Sequence, residues 1–445
     1  MYYRFKGLIE VMTTSQSFNK FLENIKVDNS ETISNRYHEI TKKLNKTFRD
    51  TDSEVDNCLR VGSYGRYTGI KGISDLDMLY IMPSSKWDEY KNDPDKLLKD
   101  VKAALKERYP NTKIKDDRLV VDVFFTDFKF EVQPVFEEQD GDETNYKFPD
   151  TKYNSYRITK PKQEQAEMTS FRQEHGDTHR LLCKMIRAWK NNVGLAMCGL
   201  LIDTLTHRFL SEHSEYDHAG TSVFDELCRD FFEYLKDEPK KDHYQALGSG
   251  QDVKVKKPFQ TKAKKAYNKA VEAIDETDEA KRNDLWREIF GRQFPKATCA
   301  VTESREFSSS AAGYTDPEQF IEDLYPVDIR YNVTLDCEVK RKGFREALLS
   351  KLLASGQRVS RVRSLDFFIV TTDVPLPFEV KWKVRNVGDE AKRRNCLRGE
   401  IINSNRKGGL TRHESSDFCG PHYVECYVVK DGIVVARDRI SVPIE

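Results

Sequence analysis

The chain has 445 residues, about three times the ~150 of an ordinary domain, which predicts two or three domains. Lysine plus arginine number 73 and aspartate plus glutamate also 73, so a zero net charge excludes a globally basic nucleic-acid coat and confines any basic surface to a local patch. Charged residues are 33% and apolar residues 38%, no apolar run approaches the ~18 residues of a membrane helix, and the first residues lack a signal-peptide core. The expectation is a foldable, cytoplasmic chain without a membrane partner and with no indicated nucleic-acid binding.

In chain order, residues 1–160 mix helical and strand-like patterns. Phe21, Ile25, Ile33, Tyr37, Ile40 and Leu44 follow helical spacing between Phe18 and Phe48. Strand-like runs follow at 78–82, 119–125 and 128–136, the last two split by Thr126-Asp127 as in a hairpin. Residues 161–320 read as helical. Asp177 or Thr178 caps a helix with the stripe Leu181, Leu182, Met185, Ile186 and Trp189, a second helix spans 195–210, and a third carries Ala263, Ala266, Tyr267, Ala270, Val271 and Ile274. Seven lysines and one aspartate between 252 and 269 read as a solvated face or, alternatively, as a phosphate-attracting rim. A Ser/Ala/Gly-rich stretch at 308–317 reads as a linker. Residues 325–445 read as β, with runs at 327–339, 365–371, 378–387, 423–430 and 433–442, the last two joined by the hairpin signal Asp431-Gly432. One helix, about 344–353, interrupts them.

Nine cysteines are scattered singly, the pattern of reduced, mostly buried thiols. His413, Cys419, His422 and Cys426 have ligand-competent types, but their spacing matches no common zinc pattern.

The chemistry concentrates between Val61 and Tyr80. A Gly62-Ser63 turn between a short strand and a helix start offers backbone N–H groups and a hydroxyl to a phosphate. Thirteen residues after Gly62, Asp75 and Asp77 open an apolar run; strand alternation puts both carboxylates on one face, ~7 Å apart along the chain. Carboxylates so placed suit divalent metal, and two ions roughly 3.5–4 Å apart stabilise the attacking and leaving oxygens of phosphoryl transfer.

Gly62-Ser63-Tyr64-Gly65-Arg66-x-Thr68 followed by Ser74-Asp75-Leu76-Asp77 resembles the signature of polymerase-β-like nucleotidyltransferases and, more narrowly, of the bacterial cGAS/DncV-like nucleotidyltransferases (CD-NTases). The resemblance implies an α+β fold: a polymerase-β-like core (1–160), a helical lobe (161–320) and a β-rich, sandwich-like C-terminal sensor domain (325–445). It implies a third carboxylate before a proline. Phe130-Glu131-Val132-Gln133-Pro134 fits, with glutamate where aspartate is usual and still a hard oxygen ligand; Asp122 and Asp127 are the competitors.

His179-Arg-Leu-Leu-Cys-Lys184 with Trp189 is similar to a family helix whose lysine holds the donor triphosphate. Helical geometry alone reads Lys184, Arg187 and Lys190 as a solvated face. Cys198 stands where relatives often carry a phosphate-contacting serine, and a thiol is a poor donor. Trp286 through Phe290-Gly291 resembles a family packing element. The stretch containing Trp382, Arg398, Gly399 and His422 is similar to the family's sensor domain, with either packing or ligand contact as their role.

By resemblance, Asp75, Asp77 and Glu131 would hold Mg²⁺, two ions being expected, with Gly62, Ser63 and Lys184 on the nucleotide. ATP and/or GTP would be joined into a cyclic di- or trinucleotide that diffuses to a downstream effector in anti-phage (CBASS) defence. Transfer to another acceptor (an RNA end, a small molecule or a protein) and a non-catalytic nucleotide sensor are the rival readings.

Overall fold

The computed structural model describes residues 12–296, 316–340, 346–406 and 408–445; most of the expected linker, Cys299 and the start of the helix expected at 344–353 lie outside them. The chain forms two compact units, one of Thr13–Trp189 with Cys198–Pro295, the other joining Lys190–Met197 to the C-terminal residues.

In the first unit, α1 (Thr14–Asn24) and α2 (Ser30–Arg49) replace the single helical stretch read from sequence. Then come β1 (Cys58–Arg60), the one-turn α3 (Gly62–Gly65), β2 (Asp75–Ile81), α4 (Trp87–Tyr90), α5 (Pro94–Arg108), β3 (Lys113–Asp116), β4 (Val121–Phe124), β5 (Lys129–Asp140), β6 (Glu143–Asp150) and β7 (Ser155–Thr159). The helical part holds α6 (Pro161–His175), α7 (Thr178–Asn192), α8 (Gly199–Ser211) and α9 (Phe224–Asp237), a short ribbon of β8 (His243–Gln245) and β9 (Asp252–Lys254), then α10 (Gln260–Asp275) and α11 (Glu279–Phe290). The helix expected from residue 195 starts only at Gly199, because Cys198 is extended.

The main sheet runs β1-β2-β5-β4-β3, with β6 and β7 continuing from β5. β2 and β5 are parallel, and β4 is antiparallel to β5. Alternation sorts the side chains of all three strands. Leu76, Met78 and Tyr80 of β2, Phe130 and Val132 of β5, and Val121 and Val123 of β4 are buried in one core with Ile40 and Leu44 of α2 and Leu98, Val101 and Leu105 of α5. Their neighbours Asp75, Asp77, Lys129, Glu131 and Asp122 therefore take the opposite face. Slipping β2 by one residue would expose three large apolar side chains, a loss on the order of 5 kcal/mol or more. The core thus fixes which face is acidic.

The second unit contains two four-stranded antiparallel sheets. One, in the order β11-β10-β12-β15, uses β10 (Val333–Lys340), β11 (Ala347–Leu348), β12 (Ser364–Thr372) and β15 (Thr411–Ser415); the other, β14-β13-β16-β17, uses β13 (Glu379–Arg385), β14 (Arg398–Ile402), β16 (Gly420–Lys430) and β17 (Ile433–Ile444). Short helices α12 (Leu349–Ala354) and α13 (Asp389–Arg393) complete it. Leu335, Cys337 and Phe367 of one sheet and Trp382, Cys426, Val428 and Val442 of the other share one core, which makes the unit a sandwich. Asp431 and Gly432 both take positive φ, as a tight β16–β17 hairpin requires. Among the described residues no helix is long and apolar enough to cross a membrane.

Candidate active site

The β2–β5 register pairs Asp75 with Lys129 and Asp77 with Glu131, and the β4–β5 register pairs Asp122 with Glu131. Asp77, Glu131 and Asp122 thus form a row across three adjacent strands, with steps of ~5 Å, and Asp75 stands one pleat away. Sequence left Glu131 and Asp122 as competitors for one role; the fold puts Glu131 beside Asp77 and Asp122 beyond Glu131, one strand further out. Asp127 lies in the turn before β5, outside this row.

Lys129 sits among these carboxylates. Its Nζ lies 2.7 Å from Glu131 Oε1, 2.9 Å from Asp122 Oδ1 and 3.9 Å from Asp75 Oδ2. Burial works against the Lys129 charge, but Glu131, Asp75 and Asp122 overcome it and raise the ammonium well above its ordinary value. Burial raises the Asp122 carboxyl, and Lys129 only partly counters it.

The ammonium shows that these oxygens can converge on a cation. Among the described residues no three His, Cys, Asp or Glu side chains stand gathered as a closed metal cage. Mg²⁺ does not need one, since it is held by one or two carboxylates together with substrate phosphates and water. Hard carboxylate oxygens on adjacent strands are the donor chemistry that ion takes, and Asp75, Asp77 and Glu131 are the residues that would hold it.

Gly62 closes the site on the other side. Its φ is +63°, and a Cβ there would lie 1.8 Å from Asp77 Oδ2, so only glycine lets the turn approach this carboxylate. Ser63 O accepts the N–H groups of Thr68 and Gly69, folding the following loop back over the turn. A network that sequence did not reveal then clamps the loop. The buried Arg66 guanidinium meets Asp203 Oδ2 at 2.8 Å and Glu164 Oε2 at 2.9 Å, and Thr68 Oγ1 donates to the same Asp203 oxygen. Arg187 holds Asp203 Oδ1 at 2.7 Å. Burial would raise the Asp203 carboxyl, but the Arg187 and Arg66 charges outweigh it and hold it far below the carboxylate range.

Arg187 is therefore no solvated residue, and neither is Lys190, which is buried and pairs with Asp328 Oδ1 at 2.8 Å. The helical-wheel reading failed because carboxylates from distant parts of the chain meet both cations. Lys184 is half-buried and lines a cavity of about 690 Å³ together with Lys26, Arg60, Tyr64, Tyr67 and Arg180. The carboxylates, Gly62 and Ser63 are not in its wall, whereas Tyr64, Gly65 and Arg66, which follow the turn directly, are. Burial, followed by the neighbouring Arg180, lowers the Lys184 ammonium, a strain that a bound anion would relieve. The lysine run of 252–269 contributes nothing to this wall.

Elsewhere, Trp286 is fully buried against Phe18 and Phe290, as a packing element should be. Trp382 is 0% exposed, which excludes it as a ligand platform. Arg398 makes a bidentate pair with Glu414, and His422 accepts from Val387 N–H and donates to Phe418 O. His413 pairs with Asp366 instead of joining a cysteine site.

A Gly-Ser turn against an Asp-x-Asp strand, with a further acid on the adjacent parallel strand, defines a nucleotidyltransferase. Residues 12–171 match the family model of the Second Messenger Oligonucleotide or Dinucleotide Synthetase domain, and residues 315–445 that of the Adenylyl/Guanylyl and SMODS C-terminal sensor domain. The chain belongs to the CD-NTases, with a synthetase domain followed by this sensor domain. Among solved structures, CdnC of E. coli MS115-1 in complex with HORMA-deltaN has the same fold at 14% identity and TM-score 0.50, over 63% of this chain and 98% of that one. The cyclic AMP-GMP synthase DncV of Vibrio cholerae matches at 14% identity and TM-score 0.44 (64% and 88% of the chains), and the CdnE c-di-GMP synthase of Capnocytophaga granulosa at 14% and 0.45 (58% and 85%). No curated protein matches the chain significantly.

Proposed function

We propose that this enzyme joins nucleoside triphosphates, ATP and/or GTP, into a cyclic di- or trinucleotide that diffuses to a separate effector in anti-phage (CBASS) signalling. The observation that supports this reading is the row Asp77–Glu131–Asp122, with Asp75 alongside and the Gly62 turn closed onto Asp77, inside a domain of the second-messenger synthetase family.

Asp75, Asp77 and Glu131 hold Mg²⁺ in this proposal, and the bound ion supplies charge neutralisation at the phosphates and activation of the attacking hydroxyl. Gly62 and Ser63 lie along the β- and γ-phosphates, and Lys184 with Arg180 draws the triphosphate toward the cleft. Glu131, next to Asp77 on the neighbouring strand, takes the proton of the ribose hydroxyl as it attacks the α-phosphate. The bond to the departing pyrophosphate breaks as the phosphodiester forms. The step repeats until the linear intermediate holds two or three nucleotides, and a last such step within it closes the ring, one pyrophosphate leaving for each bond formed.

Incubation with labelled NTPs and Mg²⁺, followed by nuclease fingerprinting, tests the proposal. A phosphatase-resistant cyclic product that vanishes in Asp75→Asn/Asp77→Asn is expected. Label transferred only to an added RNA, small molecule or protein acceptor would overturn it.

A further inference from the structure

Of all charged groups in the first unit, Lys129 is the one whose place conflicts with the proposed chemistry. It projects from β5 two residues before Glu131, on the same face, and its ammonium reaches Glu131 and Asp122 within 2.9 Å and Asp75 within 3.9 Å. Two of these carboxylates, Glu131 and Asp75, are ones a divalent ion would use. An ammonium 2.7 Å from Glu131 Oε1 and an ion about 2.1 Å from the same carboxylate are cations crowded onto one donor set, and they repel.

We infer that Lys129 is a resident counter-ion of the acid centre: it occupies the cation position until metal and nucleotide arrive, then withdraws onto Asp122 alone. The inference rests on the acid-centre reading above and adds a division of labour to it. Asp122 becomes the holder of the displaced lysine, Glu131 the carboxylate that Lys129 gives up. The four-carbon stem of lysine allows such a shift without moving the strand, where the planar fork of arginine would not. By pairing with Glu131 and Asp122 and standing near Asp75, the Lys129 ammonium offsets the mutual repulsion of the clustered carboxylates before metal binds. The consequence is that free metal competes with an internal cation. Nucleotide phosphates, which help to bind the ion, tip the exchange, so metal and substrate load together.

The test is Mn²⁺ binding, followed by calorimetry on the full chain without nucleotide. Asp122→Asn/Lys129→Met removes one negative and one positive charge, leaving the net charge of the cluster as in the wild type while removing the competing ammonium. It should bind Mn²⁺ at least ~10-fold tighter than the wild type, the size of effect expected from groups that tune metal ligands. A smaller gain, or a loss, in protein with a native circular dichroism spectrum overturns the inference. Should that variant fail to fold, Lys129→Gln alone carries the same comparison and threshold. Mn²⁺ binding in the presence of a non-hydrolysable ATP analogue separates the two levels. If the wild type takes up no metal even then, the acid-centre reading falls; if it does and the variant shows no gain, only the assignment of Lys129 falls.

Discussion

A β-carbon on Gly62 would stand 1.8 Å from the Asp77 carboxylate oxygen, so the Gly62-Ser63 turn and the acidic strand are in contact through a residue that has no side chain. The positive φ of Gly62 adds a second demand for glycine. Gly62→Ala should therefore reduce product formation at least ~10²-fold, by pushing Asp77 off its position, while the buried strand core keeps the protein folded. Steady-state turnover with a melting curve checks this. Near-normal turnover would show that the turn and Asp77 do not work as a unit.

Glu131 and Asp122 face each other across β4 and β5, yet they should respond differently to loss of charge. Glu131→Gln should lower the rate at least ~10²-fold at any Mg²⁺ concentration, because both a metal oxygen and a proton acceptor are lost. Asp122→Asn should give a milder loss that rising Mg²⁺ restores, because Lys129 then stays on Glu131 until metal displaces it. Rate against Mg²⁺ for both variants decides the matter. A crippled Asp122→Asn at saturating metal would make Asp122 the essential third carboxylate.

The acidic face was readable because alternation and the Gly-Ser…Asp-x-Asp spacing are local. Asp75 and Asp77 are two residues apart, and a strand admits one arrangement for such a pair. The contacts that could not be read join residues far apart in sequence. Arg66 and Asp203 are 137 positions apart, and no periodicity announces their pairing. Arg187 and Lys190 looked solvated because a helical wheel knows nothing of Asp203 or Asp328. Lys129 did carry a signal, since Lys-Phe-Glu on a strand places lysine and glutamate on one face. Its meaning needed the parallel neighbour β2.

His179 offers a pH test of the clamp behind the turn. It is fully buried, its Nε2 bonds Asp203 O at 3.0 Å, and burial lowers it to about 4. The folded protein keeps it neutral, whereas the unfolded chain binds a proton near pH 6.5. The unfolded state therefore holds more protons below that pH, and stability must fall as pH drops from about 6.5 to about 4. The loss from this group should total about 3 kcal/mol, being absent above about pH 6.5 and complete below about pH 4. Urea unfolding of wild type and His179→Gln across this range checks it: the difference in slope between the two should disappear above pH 7. Parallel pH dependences throughout would show that His179 is not held neutral.

Trp382 belongs to the sandwich core, not to a ligand site. It lies on β13 opposite Cys426 of β16 and Ile402 of β14, is fully buried, and shares a core with Leu335, Phe367 and Val428. Trp382→Ala should destabilise this unit by ~3–5 kcal/mol, the usual result of emptying a large aromatic site. Arg398 has a different role: with its guanidinium gripped in a bidentate pair by Glu414, it ties β14 to β15, strands of opposite sheets. Arg398→Met should leave the half-buried Glu414 beside Arg412 alone and cost less than the tryptophan. Chemical unfolding of the two variants, followed by circular dichroism, ranks these losses. The packing role further requires that the Trp382→Ala protein, where still folded, takes up nucleotide with the wild-type heat in calorimetry. A variant as stable as the wild type but with altered nucleotide binding would return Trp382 to the role of a ligand platform.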